Sequence, residues 1–239
     1  VHLSIYRLSQ ENNMKDKNQP GVGRRELLSS IGVAAVAGLA VSASQVSAQP
    51  AAAGAAQPTG FQPARHSQDS WMDEMPGSHR VIVDSSSPVG GASALWYANN
   101  ILSAHEESYE GSAADYAMVV CFRHLSTPYG FDDAIWAKYG SLFDRAADPA
   151  PTANPMNTAG PSSGGNSIGS SVARGVQFAI CGRATRRYAM AIASSTGVTA
   201  DEAFAELAAG LIPSARMVPA GVVTATRAQE YGYSLLYAE

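Results

Sequence analysis

Cysteine is scarce: the 239 residues hold only Cys121 and Cys181. Two are too few for a disulfide scaffold, and neither has the Cys-x-x-Cys or His-rich spacing that a zinc site needs, so no metal site is expected. Charge is scarce as well, with 15% charged residues and a formal net charge of −4. From Gln49 onward eleven basic residues face seventeen acidic ones, a net of −6. That leaves no basic footprint to neutralise phosphates, which argues against a nucleic-acid partner. The Gly-Lys-Ser/Thr of a P-loop and the G-x-G-x-x-G dinucleotide fingerprint are missing, so no cofactor is expected. Gly-x-Ser-x-Gly and His-Glu-x-x-His are missing too, which removes the common hydrolase signatures. What remains, at 46% hydrophobic residues, fits one ordinary globular domain plus processing segments.

The first 48 residues read as a twin-arginine signal peptide. Arg24 and Arg25 precede Leu27 and Leu28, Ile31 to Ala43 is a weakly apolar run rich in Ala, Val and Gly, and Val46-Ser47-Ala48 offers small residues for cleavage after Ala48. The run is shorter than the roughly 20 residues a spanning helix needs. Export through the twin-arginine translocase to the periplasm is therefore expected, with anchoring by an uncleaved signal as the alternative. Met14, followed by Lys15 and Lys17, makes a more typical signal start than Val1.

Residues 49–78, rich in Ala, Pro, Gln and Gly, read as a flexible linker, although Trp71 and Met72 could cover part of a core. Residues 79–239 form the expected domain. Arg80–Asp84, Tyr116–Phe122 and Val176–Cys181 are short apolar runs of strand type; Arg216–Pro219 and Tyr233–Tyr237 complete the set. Helical spacing appears over Gly90–His105 and Phe131–Phe143, from about Ala184, and again from about Asp201. This alternation predicts an α/β fold: a mostly parallel sheet with helices on both faces. A Pro/Gly/Ser-rich insertion at about 146–173 interrupts it, and so long a stretch is either a functional loop or disordered.

Four linked segments resemble the carboxyl-terminal half of DsrE/DsrF-like proteins: Gly175–Gly182, Leu211-Ile212-Pro213, Val218–Val222 and Arg227–Tyr233. The resemblance extends from about Arg80 to Tyr237, and its first half, with Arg123-His124 and Asp132–Trp136, looks like an exported branch. It implies a flavodoxin-like three-layer α/β architecture, a homo-oligomer, and sulfur carried as a cysteine persulfide in a sulfur relay. The export signal and the long insertion depart from the family pattern.

Cys181 is the candidate reactive residue. It lies where a strand ends and Gly182 opens a turn, on the edge of the sheet where open α/β folds bind ligands. Arg183, Arg186 and Arg187 follow, and cations with a nearby helix start favour thiolate. The competing reading is a buried cysteine acting as a small hydrophobe. Cys121, flanked by Val120 and Phe122, reads as a core residue. A Cys121–Cys181 disulfide would require Cβ atoms within about 4.5 Å. Arg123, His124 and Ser86 are candidate ligand-binding residues with Gly182 and Arg183, since His124 ends the second strand and Ser86 lies in a Ser-rich turn before a helix. Two function classes therefore stay open. One is a sulfur carrier or sulfurtransferase-like protein using Cys181; the other is a non-catalytic binding or assembly protein for a small anion, a metal or a protein partner.

Overall fold

The computed structural model describes residues Gly60–Glu239. The signal features, Arg24, Arg25 and Ala48 among them, and the linker up to residue 59 lie outside the described residues. A 3-10 turn at Ser67–Asp69 and a short α1 (Trp71–Glu74) lead into β1 (His79–Ser85) and α2 (Pro88–Ser108). Next come β2 (Tyr116–Phe122), α3 (Asp133–Phe143), α4 (Ile168–Ala173) and β3 (Gln177–Cys181). The chain continues through α5 (Gly182–Thr196), α6 (Ala200–Ala209), β4 (Ala215–Val218), α7 (Gly221–Glu230) and β5 (Ser234–Ala238).

The five strands form one sheet in the order β4-β3-β2-β1-β5, and every pairing is parallel. The expected α/β class holds. Strand order also decides how the helices divide. From β1 to β4 the chain steps in one direction, so right-handed crossovers place α2 to α6 on one face. The step from β4 to β5 runs back across the whole sheet, which sends α7 to the other face.

Each face has its own core. On the first, Val83, Val120, Phe122, Phe178 and Ile180 pack under Leu95, Leu102, Ile135, Trp136 and Leu207. On the second, Ile82, Val119, Cys121 and Ala179 meet Ala228, Tyr231 and Tyr233, together with Trp71 and Met72. Of the two readings of Trp71 and Met72, the covering one holds. Met72 is fully buried, and its carbonyl accepts hydrogen bonds from Tyr233 Oη at 2.8 Å and Arg80 Nη1 at 3.2 Å.

The insertion at 146–173 is laid down on α2 and α3. The Asn154 side-chain amide donates to the carbonyls of Tyr129 (2.8 Å) and Phe131 (2.7 Å), while Asp133 accepts from Asn154 N (2.8 Å) and Asn157 Nδ2 (2.7 Å). Met156 and Ile168 join the first core. These are the satisfied polar groups and apolar anchors of a structural cover.

Candidate functional site

Every candidate from the domain sequence lies at the carboxyl edge of the sheet. Ser86 follows β1, Arg123 and His124 follow β2, and Cys181, Gly182 and Arg183 span the junction of β3 and α5. A ligand crevice forms at this edge where adjacent strands send their connections to opposite faces. Here that happens between β3, which leads into α5, and β4, which leads into α7. A groove of about 790 Å³ opens at this place, lined by Gly182, Arg183, Arg186, Arg187, Met217, Val218 and Pro219 among others.

Arg186 is held by Asp201 at 2.6 Å and stacks on Phe204 at 4.0 Å from the ring centroid. Arg183 and Arg187 are exposed and make no ion pair among the described residues. Their charges face the groove uncompensated. Gly182 is required by the close crossing of the next connection, because a Cβ there would stand 2.8 Å from the Val218 carbonyl oxygen.

Cys181 is the N-cap of α5 and directly precedes the groove residues. Its side chain shares the second face with Ala179, two residues earlier on β3, with Cys121, the register partner of Ala179, and with Val218, its own register partner. It is 7% exposed, whereas Cys121 is fully buried, and both are free thiols. The register explains why. Cys121 pairs with Ala179, so Cys181 lies two residues further on, about 8 Å away between Cα atoms on strand geometry. That exceeds the span of a disulfide. Burial pushes the Cys121 thiol well up, and the neighbouring Asp84 and Cys181 add to the effect. Cys121 is therefore a neutral core thiol, as its sequence surroundings suggested.

Arg123 and Ser86 lie further along the edge, and the fold already engages both side chains. Arg123 grips Asp84 with Nε at 2.9 and 3.0 Å and Nη2 at 2.8 Å. This carboxylate holds the Arg123 guanidinium even more firmly protonated than usual. Ser86 Oγ meets Tyr237 Oη at 2.6 Å. Ser87 caps α2 by accepting from Gly90 N at 2.9 Å, and Ser85 donates to the Cys121 carbonyl at 2.9 Å. The Ser-rich turn is thus a strand-to-helix junction.

His124 stands apart. It is exposed, with φ at +55°, a left-handed conformation that costs a non-glycine residue about 1–2 kcal/mol. The bend lets Leu125 N reach the Ser86 carbonyl at 3.0 Å and inserts Ser126 beneath Arg123. His124 lines a separate cavity of about 450 Å³ with Arg145, Arg187 and Tyr188. Arg187 is the side chain common to that cavity and the β3/β4 groove.

The sequence reading missed Asp84, the partner that engages Arg123, and Tyr237, which engages Ser86. A charged residue inside the run Arg80–Asp84 was the available signal for the first. No group of three or more His, Cys, Asp or Glu side chains able to hold a metal occurs among the described residues. Nor is any described helix long and apolar enough to cross a membrane. In comparisons with known proteins, the chain matches no family model and no curated protein. The fold and site together define an open, all-parallel α/β protein with a cationic crevice between β3 and β4.

Proposed function

We propose that this is an exported DsrE-like sulfur carrier that takes up sulfur from a small anionic donor at Cys181. The observation that carries this reading is placement: Cys181 ends β3 at the strand-order switch, beside a groove with two unpaired arginines. The arginines would draw an anion such as thiosulfate or a polysulfide toward the β3–α5 junction that carries Cys181. With thiosulfate, the Cys181 thiolate attacks the outer sulfur, a new S–S bond forms, the original S–S bond breaks, and sulfite leaves with its electron pair. The product is a cysteine persulfide, and no external oxidant is consumed. Export by the twin-arginine route and assembly as a homo-oligomer belong to the same proposal.

Intact mass after incubation with thiosulfate or polysulfide tests it. The native protein should gain about 32 Da, one sulfur atom. Cys181→Ser should abolish the gain and Cys121→Ser should keep it. An adduct that survives Cys181→Ser would sink the assignment.

The 7% exposure of Cys181 favours a second reading, a protein that binds the anion in the groove without a covalent step. Under it, Arg183→Gln with Arg187→Gln would abolish thiosulfate binding by calorimetry, and no mass gain would appear in the native protein.

A further inference from the structure

Six arginines among the described residues are partly buried: Arg80, Arg123, Arg174, Arg186, Arg216 and Arg227. Five have a carboxylate partner, respectively Asp73, Asp84, Glu106, Asp201 and Glu230 for all but Arg216. Arg216 makes no ion pair and donates no side-chain hydrogen bond among the described residues, and its Nε is a buried atom without a partner. A guanidinium offers five donors and cannot shed its charge, so leaving it half-buried and unanswered is costly. Orphaned groups of this kind call for an explanation.

The surroundings supply one. Arg216, the second residue of β4, pairs with Ala179 and so belongs to the second face, with its guanidinium carbon 4.3 Å from the centre of the Trp71 ring. That stacking fixes the plane of the fork. The side chain lines a cavity of about 670 Å³ together with Trp71, Met75, Pro76, Tyr116 and Gln177. Glu74, at the rim of the same cavity, is exposed and does not bond to Arg216. Arg174 also reaches the lining, but Glu106, the Asn99 carbonyl and Ser103 hold its guanidinium, and most of the remaining wall is apolar. A planar cation held at one side of an apolar chamber is the arrangement that receives a carboxylate attached to an apolar body.

We infer that this cavity, at the opposite edge of the sheet from Cys181, is a binding site for a small organic carboxylate with an apolar or aromatic body. The carboxylate pairs with the Arg216 fork. The body lies along Trp71, Met75 and Pro76, and Gln177 offers a further hydrogen bond. The site is independent of the β3/β4 groove and of any sulfur chemistry there.

Calorimetry on the full-length protein tests the inference with three probes: phenylacetate, its methyl ester and inorganic phosphate. Phenylacetate should bind at least about tenfold more tightly than the ester, which keeps the body without the charge, and than phosphate, which keeps charge without the body. Arg216→Gln should weaken phenylacetate at least about tenfold, and Arg216→Lys should weaken it less. Arg183→Gln should leave phenylacetate binding unchanged. Equal binding of acid and ester, binding of phosphate as tight as phenylacetate, loss on Arg183→Gln, or no phenylacetate binding would each overturn the inference. Should Arg216→Gln fail to fold, the acid-to-ester comparison on the native protein decides alone.

Discussion

Breaking the Asp84–Arg123 pair should show how firmly the carboxyl edge is built. The Asp84 side chain is 6% exposed and that of Arg123 22% exposed, and three N···O distances of 2.8–3.0 Å join them. Removing one partner of a buried pair costs about 3–5 kcal/mol, because the survivor is left desolvated and unpaired. The two single variants should differ. Asp84→Ala leaves a guanidinium that water reaches from its open side, so screening brings the cost down to about 2–3 kcal/mol. Arg123→Ala leaves a carboxylate with almost no access to water, and the full cost of about 3–5 kcal/mol is expected.

Arg123 also supports α7. Its Cβ packs against Gly221 so closely that a Cβ on that glycine would lie 2.6 Å away, and Cys121 Sγ would lie 3.1 Å away. Arg123→Ala keeps this Cβ but removes the Cδ, 3.1 Å from the same point, so it should loosen the first turn of α7 and open Cys121 to alkylation, whereas native Cys121 stays protected. Urea denaturation followed by far-UV circular dichroism gives the stability differences, and a thiol probe followed by peptide mapping gives the exposure. Two single variants each costing under about 1 kcal/mol, or a double-mutant coupling under about 0.5 kcal/mol, would refute the reasoning.

Two further outcomes follow from the interior. The raised Cys121 pKa means the native thiol keeps its proton where the unfolded one, near 8.5, has lost it. Stability is thus intact below about pH 8.5 and falls as pH rises toward the native pKa, by at most about 1.4 kcal/mol per pH unit. Urea midpoints between pH 9 and 10 should decline less in Cys121→Ala than in the native chain. The same decline in both would remove Cys121 as the cause. Tyr129, pushed up to about 12 by burial, contributes only above this window. Separately, Asn154→Ala should cost about 1–3 kcal/mol by orphaning the carbonyls of Tyr129 and Phe131. It should also hasten proteolysis within 146–173, and unchanged cleavage would show that the cover is held by its apolar anchors instead.

The inner strands were legible because β2 and nearly all of β3 are apolar on both faces, and β2 keeps the bounds Tyr116–Phe122 read from sequence. The helix after β3 was placed late, from about Ala184, because Gly182 reads as a turn; the structure starts it at Gly182, with Cys181 as N-cap. α7 was not recognised as a helix. Its Gly221, Val222, Val223, Thr224 and Thr226 are poor helix formers, and the segment is helical because Ala225 and Ala228 are buried against the sheet. The candidate residues lie at one edge, yet their partners were hidden. Asp84 pairs in register with Cys121, so Arg123 reaches it only once β1 and β2 are aligned, 39 residues apart in sequence. Ser86 likewise meets Tyr237 across 151 residues.

Strand order carries the deeper consequence. Reversing direction only once, after β4, leaves the second face with a single crossing helix and a short covering segment before β1. Such a face is thin at both ends. At its carboxyl edge α7 begins over Cys121; at its amino edge α1 stops short, and the chamber holding Arg216 remains. The first face, carrying α2 to α6 and the 146–173 cover, offers His124 and Arg187 a cavity at its rim, and its Arg186, Met190, Phe204 and Met217 line the β3/β4 groove. Cys181 and Arg216 both lie on this more thinly covered face, whereas the groove arginines Arg183 and Arg187 stand on α5. One testable corollary is that hydrogen exchange at the first turn of α7 should be faster than at the middle of α2. The reverse order would mean that the second face is as well braced as the first.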